Sequence, residues 1–181
     1  MKRLIRAAAT VAAFLAASCA ARMTVSSHVQ PGLDFGQYRV YDWGPADALP
    51  TGDARLDRDP FFQDHVQGEI EKQLAGKGFE RASAAGSADL LIHYHASITR
   101  RIDVNRTDSE YGYCADENCA AKVNEFEAGT LILDILDART NRLIWRGWAQ
   151  RALGDELENR DHLARQIDEA VTRMLARFRP L

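Results

Sequence analysis

Two segments with helical periodicity, each flanked by strand-like runs, constrain the fold of this chain more than any other feature. The first begins at Asp59–Pro60, an N-cap acid followed by proline at the first helical position, and extends to about Lys77. The second covers residues 160–178. Apolar residues recur at spacings of three and four in both segments, at Phe62, Val66, Ile70 and Leu74 and at Leu163, Ile167, Ala170, Val171, Met174, Leu175 and Phe178. This spacing predicts amphipathic helices that each bury one face.

Five other segments carry the alternation, or the β-branched and aromatic residues, that are typical of strands. They are Thr24–Val29, Arg39–Trp43, Ala88–Ile102, Gly129–Asp137 and Arg142–Leu153. The polar link Ala138–Asn141 predicts that the last two form a β-hairpin. The order β-β-α-β-β-β-α favours a two-layer α+β arrangement, in which a mostly antiparallel sheet of about five strands packs with two amphipathic helices.

The remaining segments define the domain boundaries. We expect one domain that covers residues 24–181, which is an ordinary domain length. A Pro/Gly/Asp-rich stretch at 46–58 predicts a loop, and a polar stretch at about 103–127 predicts a second loop or the tip of an extended hairpin.

The N-terminus has the pattern of a secretory signal peptide. Lys2, Arg3 and Arg6 precede or interrupt an apolar stretch that extends to Ala17. That stretch is shorter than the ~20 apolar residues that a membrane-spanning helix needs. A short apolar region behind a positive N-terminus is typical of a signal that is removed from the mature protein. Its removal would leave the domain more acidic than the full chain, whose formal net charge is −3.

The residues at the end of this stretch indicate where the cut falls. The segment Leu15–Cys19, LAASC, resembles a bacterial lipobox, although the position that usually carries leucine is an alanine here. The resemblance implies a signal peptide at 1–18, acyl chains on Cys19 and a lipid-anchored tether at 19–23. Ala20 stands where an aspartate would retain a lipoprotein in the inner membrane. We therefore expect a protein that is anchored by lipid to the bacterial outer membrane and faces the periplasm.

Charge and motif content exclude several classes of function. The mildly acidic chain has no Lys/Arg cluster, which argues against nucleic acid as a partner. The chain contains no G-x-S-x-G, P-loop, H-E-x-x-H or G-x-G-x-x-G pattern, which are the motifs that would suggest an enzyme. We therefore expect neither catalysis nor a cofactor, and an enzyme with an unrecognised site stays as an alternative.

Cys114 and Cys119 are the two cysteines that remain beside Cys19. In an oxidising envelope we expect this C-x4-C pair to form a disulfide that closes a small polar loop. A metal site that includes Asp116 and Glu117 is a weaker alternative, because closed zinc sites use four nitrogen or sulfur ligands.

His93 and His95 are the strongest candidates for a small-ligand or metal site. Residues two apart on a strand point to the same face, so both imidazoles could bind one ligand or one metal ion. A third metal ligand would have to come from a neighbouring strand, from Asp134 or His28, for example. The simpler interpretation is that the two histidines lie on the solvated face of a sheet.

Trp145 and Trp148 are the strongest candidates for packing and partner contacts. They differ by three positions on one strand, which predicts that they point to opposite faces. One would belong to the core, and the other, with Arg146 beside it, could contact a partner. The alternative is that both are packed under helices or loops. The same spacing separates Asp134 and Asp137, so they make a poor catalytic pair, and Asp137 is better interpreted as a turn residue.

Several stretches resemble one family of envelope proteins, the family known as domain of unknown function 4136. The matching pieces are Asp34–Trp43, Ala88–His95, Gly129–Ala149 and Ile167–Val171 with Phe178 and Pro180. They span nearly all of the chain after the signal, and the hairpin piece is the most specific. The resemblance implies a bacterial lipoprotein with an α+β domain, and it implies no catalytic residues. The cysteine loop is not part of the pattern.

These observations together predict a non-catalytic domain that binds an envelope partner, which is another protein or a cell-wall component. The alternative of a different class is a small-ligand or metal-binding module that uses the strand face of His93 and His95.

Overall fold

The computed structural model describes residues 22–44, 53–104, 123–154 and 157–178, and in these ranges it contains six strands and three α-helices. The strands are β1 (Thr24–Val29), β2 (Val40–Trp43), β3 (Glu80–Arg81), β4 (Leu90–Val104), β5 (Val123–Asp137) and β6 (Arg142–Leu153). The helices are α1 (Ala54–Asp57), α2 (Pro60–Ala75) and α3 (Arg160–Leu175), and Phe35–Gln37 forms a 3₁₀ turn.

All six strands belong to one sheet, in the order β1-β6-β5-β4-β2-β3. The pairs β1–β6, β6–β5 and β5–β4 are antiparallel, whereas β2 pairs in parallel with both β4 and β3. The predicted α+β class and the mostly antiparallel sheet are confirmed. The sixth strand, β3, consists of two exposed residues. Main-chain hydrogen bonds hold it in the sheet, for example the bond of 2.9 Å from Glu80 N–H to the Arg39 carbonyl. Such bonds require no particular side chains, so the sequence shows no strand pattern here.

Local sequence signals determine where the two long helices begin and end. The Asp59 side chain accepts a hydrogen bond from Phe61 N at the start of α2, and Asn159 does the same for His162 N at the start of α3. Helix α2 ends at Ala75, two residues before the predicted end, and α3 ends at Leu175, three residues before the predicted end. Gly78 adopts a positive φ of 83° just beyond α2. The predicted loop at 46–58 also contains the single-turn helix α1.

The core lies between one face of the sheet and helices α2 and α3. The four apolar residues predicted to form the buried face of α2 are all buried. The seven apolar residues predicted for the second helix are buried too, six of them in α3 and the seventh, Phe178, just beyond its end. Phe178 is the centre of an aromatic cluster, with ring centroids 5.4 Å from Phe35, 5.7 Å from Phe79 and 5.4 Å from Trp145. Helices α2 and α3 therefore cover one face of the sheet, and no helix in the described ranges covers the other face.

Trp145 is accommodated because the residue two positions later has no side chain. Trp145 is 1% exposed, and a Cβ built on Gly147 would lie 2.4 Å from its ring. Residues two apart on a strand share a face, so the indole lies across the Cα of Gly147. Glycine is thus a packing requirement at this position.

Asp137 organises the turn between β5 and β6, in agreement with its interpretation as a turn residue. Its carboxylate accepts hydrogen bonds from Thr140 N at 2.7 Å, Thr140 Oγ1 at 2.8 Å and the Tyr38 hydroxyl at 2.9 Å. The hydrogen bonds from Thr140 hold the pKa of Asp137 below its usual value. Asn141, with φ of 54°, supplies the left-handed residue of the turn.

The predicted polar loop at about 103–127 is shorter than expected at both ends. Residues 103–104 belong to β4 and residues 123–127 belong to β5, so these two strands continue as a ribbon towards the loop. Cys114 and Cys119 lie outside the described residues, as do Cys19 and the predicted signal peptide. Of the helices in the described ranges, none is long and apolar enough to cross a membrane.

Replacing Gly147 by alanine tests the packing of Trp145. The new methyl group would collide with the indole, and forced displacement in a packed core costs about 1–3 kcal/mol. We expect the Gly147→Ala variant to unfold at a lower urea concentration. The matched control is Gly68→Ala on α2, where the added Cβ meets nothing within 4 Å. This control is expected to be more stable than the wild type by about 0.5–1 kcal/mol. Equal stability of Gly147→Ala and the wild type would contradict the packing argument.

Candidate functional site

The face of the sheet turned away from the helices carries a row of polar side chains that crosses four strands. The pairing register places His28 of β1 opposite Arg146 of β6, Arg146 opposite Asp134 of β5, and Asp134 opposite His93 of β4. Because side chains alternate along a strand, neighbours of this row, such as Trp145, belong to the core on the other side. We call the surface around this row the open face.

An ion pair lies at the centre of the open face. Arg146 Nε donates to Asp134 Oδ1 and Arg146 Nη2 donates to Asp134 Oδ2, both at 2.6 Å. Asp134 is only 5% exposed, whereas the Arg146 side chain is 45% exposed. The hydrogen bonds to Asp134 raise the pKa of Arg146 above its usual value. The pair therefore presents a guanidinium group to solvent while its carboxylate stays beneath the surface.

The two histidines do lie on this same face, but their surroundings differ. His95 Nε2 is 3.9 Å from Asp134 Oδ2, so this imidazole extends over the central ion pair. The His93 ring instead lies over Gly44, where a built Cβ would come within 2.0 Å of Nε2. The Gly44 N–H donates to the Ile92 carbonyl at 3.0 Å, which holds the glycine beside β4. His93 is thus packed against main chain at the end of β2.

Trp148 lies in the next row of the open face. The register aligns Ser26, Trp148, Ile132 and His95 across the four strands. Trp148 is half-buried and Trp145 is fully buried in the core, so the prediction that they occupy opposite faces is confirmed. Trp148 therefore lies on the same surface as Arg146, which is the arrangement proposed for a partner contact.

A metal site at His93 and His95 would lack a third ligand in this arrangement. Both oxygens of Asp134 accept hydrogen bonds from Arg146, and His28 lies beyond Arg146, on a different strand pair. Within the described ranges, no three His, Cys, Asp or Glu side chains are placed to hold a metal ion. The two histidines remain available for a ligand that needs only imidazole contacts.

The other buried carboxylates have structural partners away from the open face. Glu69 of α2 is 6% exposed and accepts hydrogen bonds from Lys72 Nζ and Gln73 Nε2, both at 2.8 Å. Burial opposes its charge, but these hydrogen bonds hold the pKa of Glu69 below its usual value. Asp137 belongs to the turn. Both carboxylates are engaged in holding local structure.

The central ion pair was missed in the sequence, and a β-bulge explains why. A regular hairpin that starts from Asp137 opposite Arg142 would place Asp134 opposite Trp145. The register instead shifts between Ile135 and Leu136, so Asp134 faces Arg146. A bulge of this kind leaves no reliable mark in the sequence, although the apolar run across Ile144 and Trp145, both buried, departs from strict alternation.

Comparison with known proteins agrees with this fold. The profile of the family described as Domain of unknown function (DUF4136) matches residues 25–180. The chain, an α+β domain with one six-stranded sheet, therefore belongs to the DUF4136 family. No curated protein sequence matches it.

Solved structures also resemble the chain. A DUF4136 family protein from Bacteroides thetaiotaomicron superposes with a TM-score of 0.56 at 14% identity, over 86% of this chain and 95% of that one. A PDZ domain protein from Parabacteroides distasonis superposes with a TM-score of 0.53 at 16% identity, over 96% of this chain. The chain spans only 40% of the length of the PDZ domain protein. At these identities the likeness concerns the fold alone.

Replacing Arg146 by alanine tests whether the ion pair supports the open face. The variant would leave the Asp134 carboxylate buried without its hydrogen-bond donors, at a cost of about 1–3 kcal/mol. Adding Asp134→Asn to Arg146→Ala removes the unpaired charge, and we expect the double variant to recover part of that loss. Urea unfolding of the wild type, both single variants and the double variant forms a complete cycle. Strictly additive effects of the two substitutions would contradict the pairing.

Proposed function

We propose that this protein is an outer-membrane lipoprotein whose domain binds another envelope protein through the open face and catalyses no reaction. The observation that carries the proposal is the combination of Arg146 and Trp148 on a sheet face that none of the described helices covers. Tryptophan and arginine are the residue types most enriched among the side chains that dominate binding energy in protein interfaces.

The ion pair with Asp134 favours binding by ordering Arg146 in advance. Two hydrogen bonds of 2.6 Å hold the guanidinium group in one orientation. A partner would therefore not have to order this long side chain, which otherwise costs about 0.5–1.5 kcal/mol on association. The half-buried indole of Trp148 offers a rigid apolar surface nearby.

The anchoring part of the proposal is supported by the sequence around Cys19. A lipobox-like segment follows a positively charged, apolar N-terminus. Several acyl chains on one residue give stable membrane attachment, whereas a single chain gives only marginal binding. The anchor would hold the domain at the inner surface of the outer membrane, where envelope proteins are concentrated.

The absence of catalysis is supported by the way the titratable groups are engaged. On the open face, Asp134 is saturated by Arg146, and the ring of His93 is packed against Gly44. An acid–base or nucleophilic site needs groups that converge on a position where substrate can bind. The described part of the open face has no such convergent set beyond the neighbouring histidines.

Crosslinking in the intact envelope, followed by capture of the tagged protein and mass spectrometry, tests the proposal. We expect one dominant protein partner with the wild type and its loss with Trp148→Ala, because the substitution removes the apolar surface. The matched control is Arg165→Ala on α3, an exposed position on the helical side of the domain. Both variants should first be shown to unfold at the same urea concentration as the wild type.

The outcomes of this experiment distinguish a protein partner of the open face from a cell-wall partner. Retention of the same partner by the Trp148→Ala variant would contradict the proposal. Crosslinks to peptidoglycan fragments in place of a protein would reassign the partner to the cell wall.

The second candidate function is a small-ligand or metal-binding module at His93 and His95. The observation that favours it is their shared face, with His95 Nε2 3.9 Å from Asp134 Oδ2. Calorimetric titration of the purified protein with zinc tests this reading. If it is correct, heat of binding appears for the wild type and disappears for His93→Ala. Absence of zinc uptake by the wild type removes the metal part of this candidate.

A further inference from the structure

An apolar cleft opens between α3 and the helix-covered face of the sheet, on the opposite side from the open face. Its volume is about 80 Å³. The cleft is bordered by Leu163, Ile167 and Ala170 of α3 and by Ala96, Leu131 and Ala149 of the sheet. An apolar space that opens to solvent leaves its lining without packing partners, which favours an apolar occupant.

Two polar atoms at this cleft are buried without a hydrogen-bond partner. They are Arg151 Nε, a donor, and Gln166 Oε1, an acceptor, and both residues line the cleft. A buried polar group without a partner costs about as much as a lost hydrogen bond, so native proteins leave few of them. Both atoms have almost no exposed surface, so an occupant of the cleft contacts apolar side chains, which suits a hydrocarbon chain.

Met23 also lines the cleft, and this places the proposed lipid attachment close by. Cys19 precedes Met23 by four residues, which span at most about 14 Å when fully extended. An acyl chain that fills one leaflet covers roughly half of the ~30 Å hydrocarbon core. A chain attached at Cys19 can therefore reach the cleft even if the tether is extended.

We propose that the cleft between α3 and the sheet is the binding site for one acyl chain carried by Cys19 of the same molecule. The inference rests on the lipidation in the proposed function. The cleft volume of about 80 Å³ corresponds to some five to eight water positions at ~10–15 Å³ each, which suits part of one chain and not several.

This arrangement is compatible with membrane anchoring. One chain in the cleft leaves the other chains of a lipidated cysteine in the bilayer, and two chains are sufficient for stable attachment. The domain would then lie with the start of α3 and the end of β6 towards the membrane, since the tether becomes too short for free rotation. The open face would be held in one orientation relative to the membrane surface.

The test uses the full-length lipidated protein from cells grown with a fatty acid that carries a photoactivatable diazirine. After irradiation and digestion, mass spectrometry identifies which peptides are linked. The expected result is a crosslink between the peptide that begins at Cys19 and the α3 peptide that contains Ile167. The wild-type protein alone decides the question, so the test does not depend on the folding of a variant.

Replacing one of two alanines by phenylalanine, either within α3 or just after its last residue, strengthens the assignment. Ala170→Phe fills the cleft and should abolish the crosslink, whereas Ala176→Phe adds the same ring at an exposed position and should preserve it. Both variants are checked for an unchanged unfolding midpoint.

Each remaining outcome overturns a defined part of the argument. An acylated Cys19 peptide without a crosslink to α3 overturns the cleft proposal and leaves the lipoprotein proposal standing. A crosslink from α3 to a phospholipid overturns the assignment to the chain's own lipid. A Cys19 peptide without any acyl group removes both the lipidation and the inference that rests on it.

Discussion

The pairing register of β4, β5 and β6 is the constraint on which the rest of the structure depends. Side chains alternate across a strand, so this register decides which residues meet α2 and α3 and which face away. The shift between Ile135 and Leu136 adjusts it by one residue at a single place. Trp145 consequently points into the aromatic cluster around Phe178, and Arg146 lies opposite Asp134. Core and open face are two consequences of one pattern of hydrogen bonds.

The two faces of the sheet use buried groups in different ways. Under the helices the side chains are mostly apolar, and even a glycine is needed so that Trp145 can pack. On the open face the buried group is a carboxylate, which is tolerated because Arg146 neutralises it through two hydrogen bonds. Such a pair adds little net stability, but it fixes the orientation of a charged group at the surface. The fold thus combines a packed core with a pre-ordered polar surface and, beneath α3, a cleft that Met23 borders.

Much of the fold was predictable from the sequence, because amphipathic periodicity reports burial directly. The stripe from Phe62 to Leu74 and the caps Asp59 and Asn159 lie where local rules place them. The strand β3 was not predictable, since a two-residue strand held largely by main-chain hydrogen bonds carries no side-chain pattern. The site was only partly predictable. The shared face of His93 and His95 follows from their spacing, whereas the partners of Asp134 and the glycine beneath His93 depend on strands far apart in the chain.

The sequence by itself determined the α+β class, the starts of the two long helices, the turn at Asp137 and the opposite orientations of Trp145 and Trp148. These features depend on neighbours a few positions away, where spacing fixes geometry. Only the tertiary structure decided the strand order, the parallel pairing of β2, the Asp134–Arg146 pair and the cleft beside Met23. The physical reason is that these features arise between segments distant in sequence. Their relative placement is set by the packing of the whole core and by one bulge, and no local pattern encodes it.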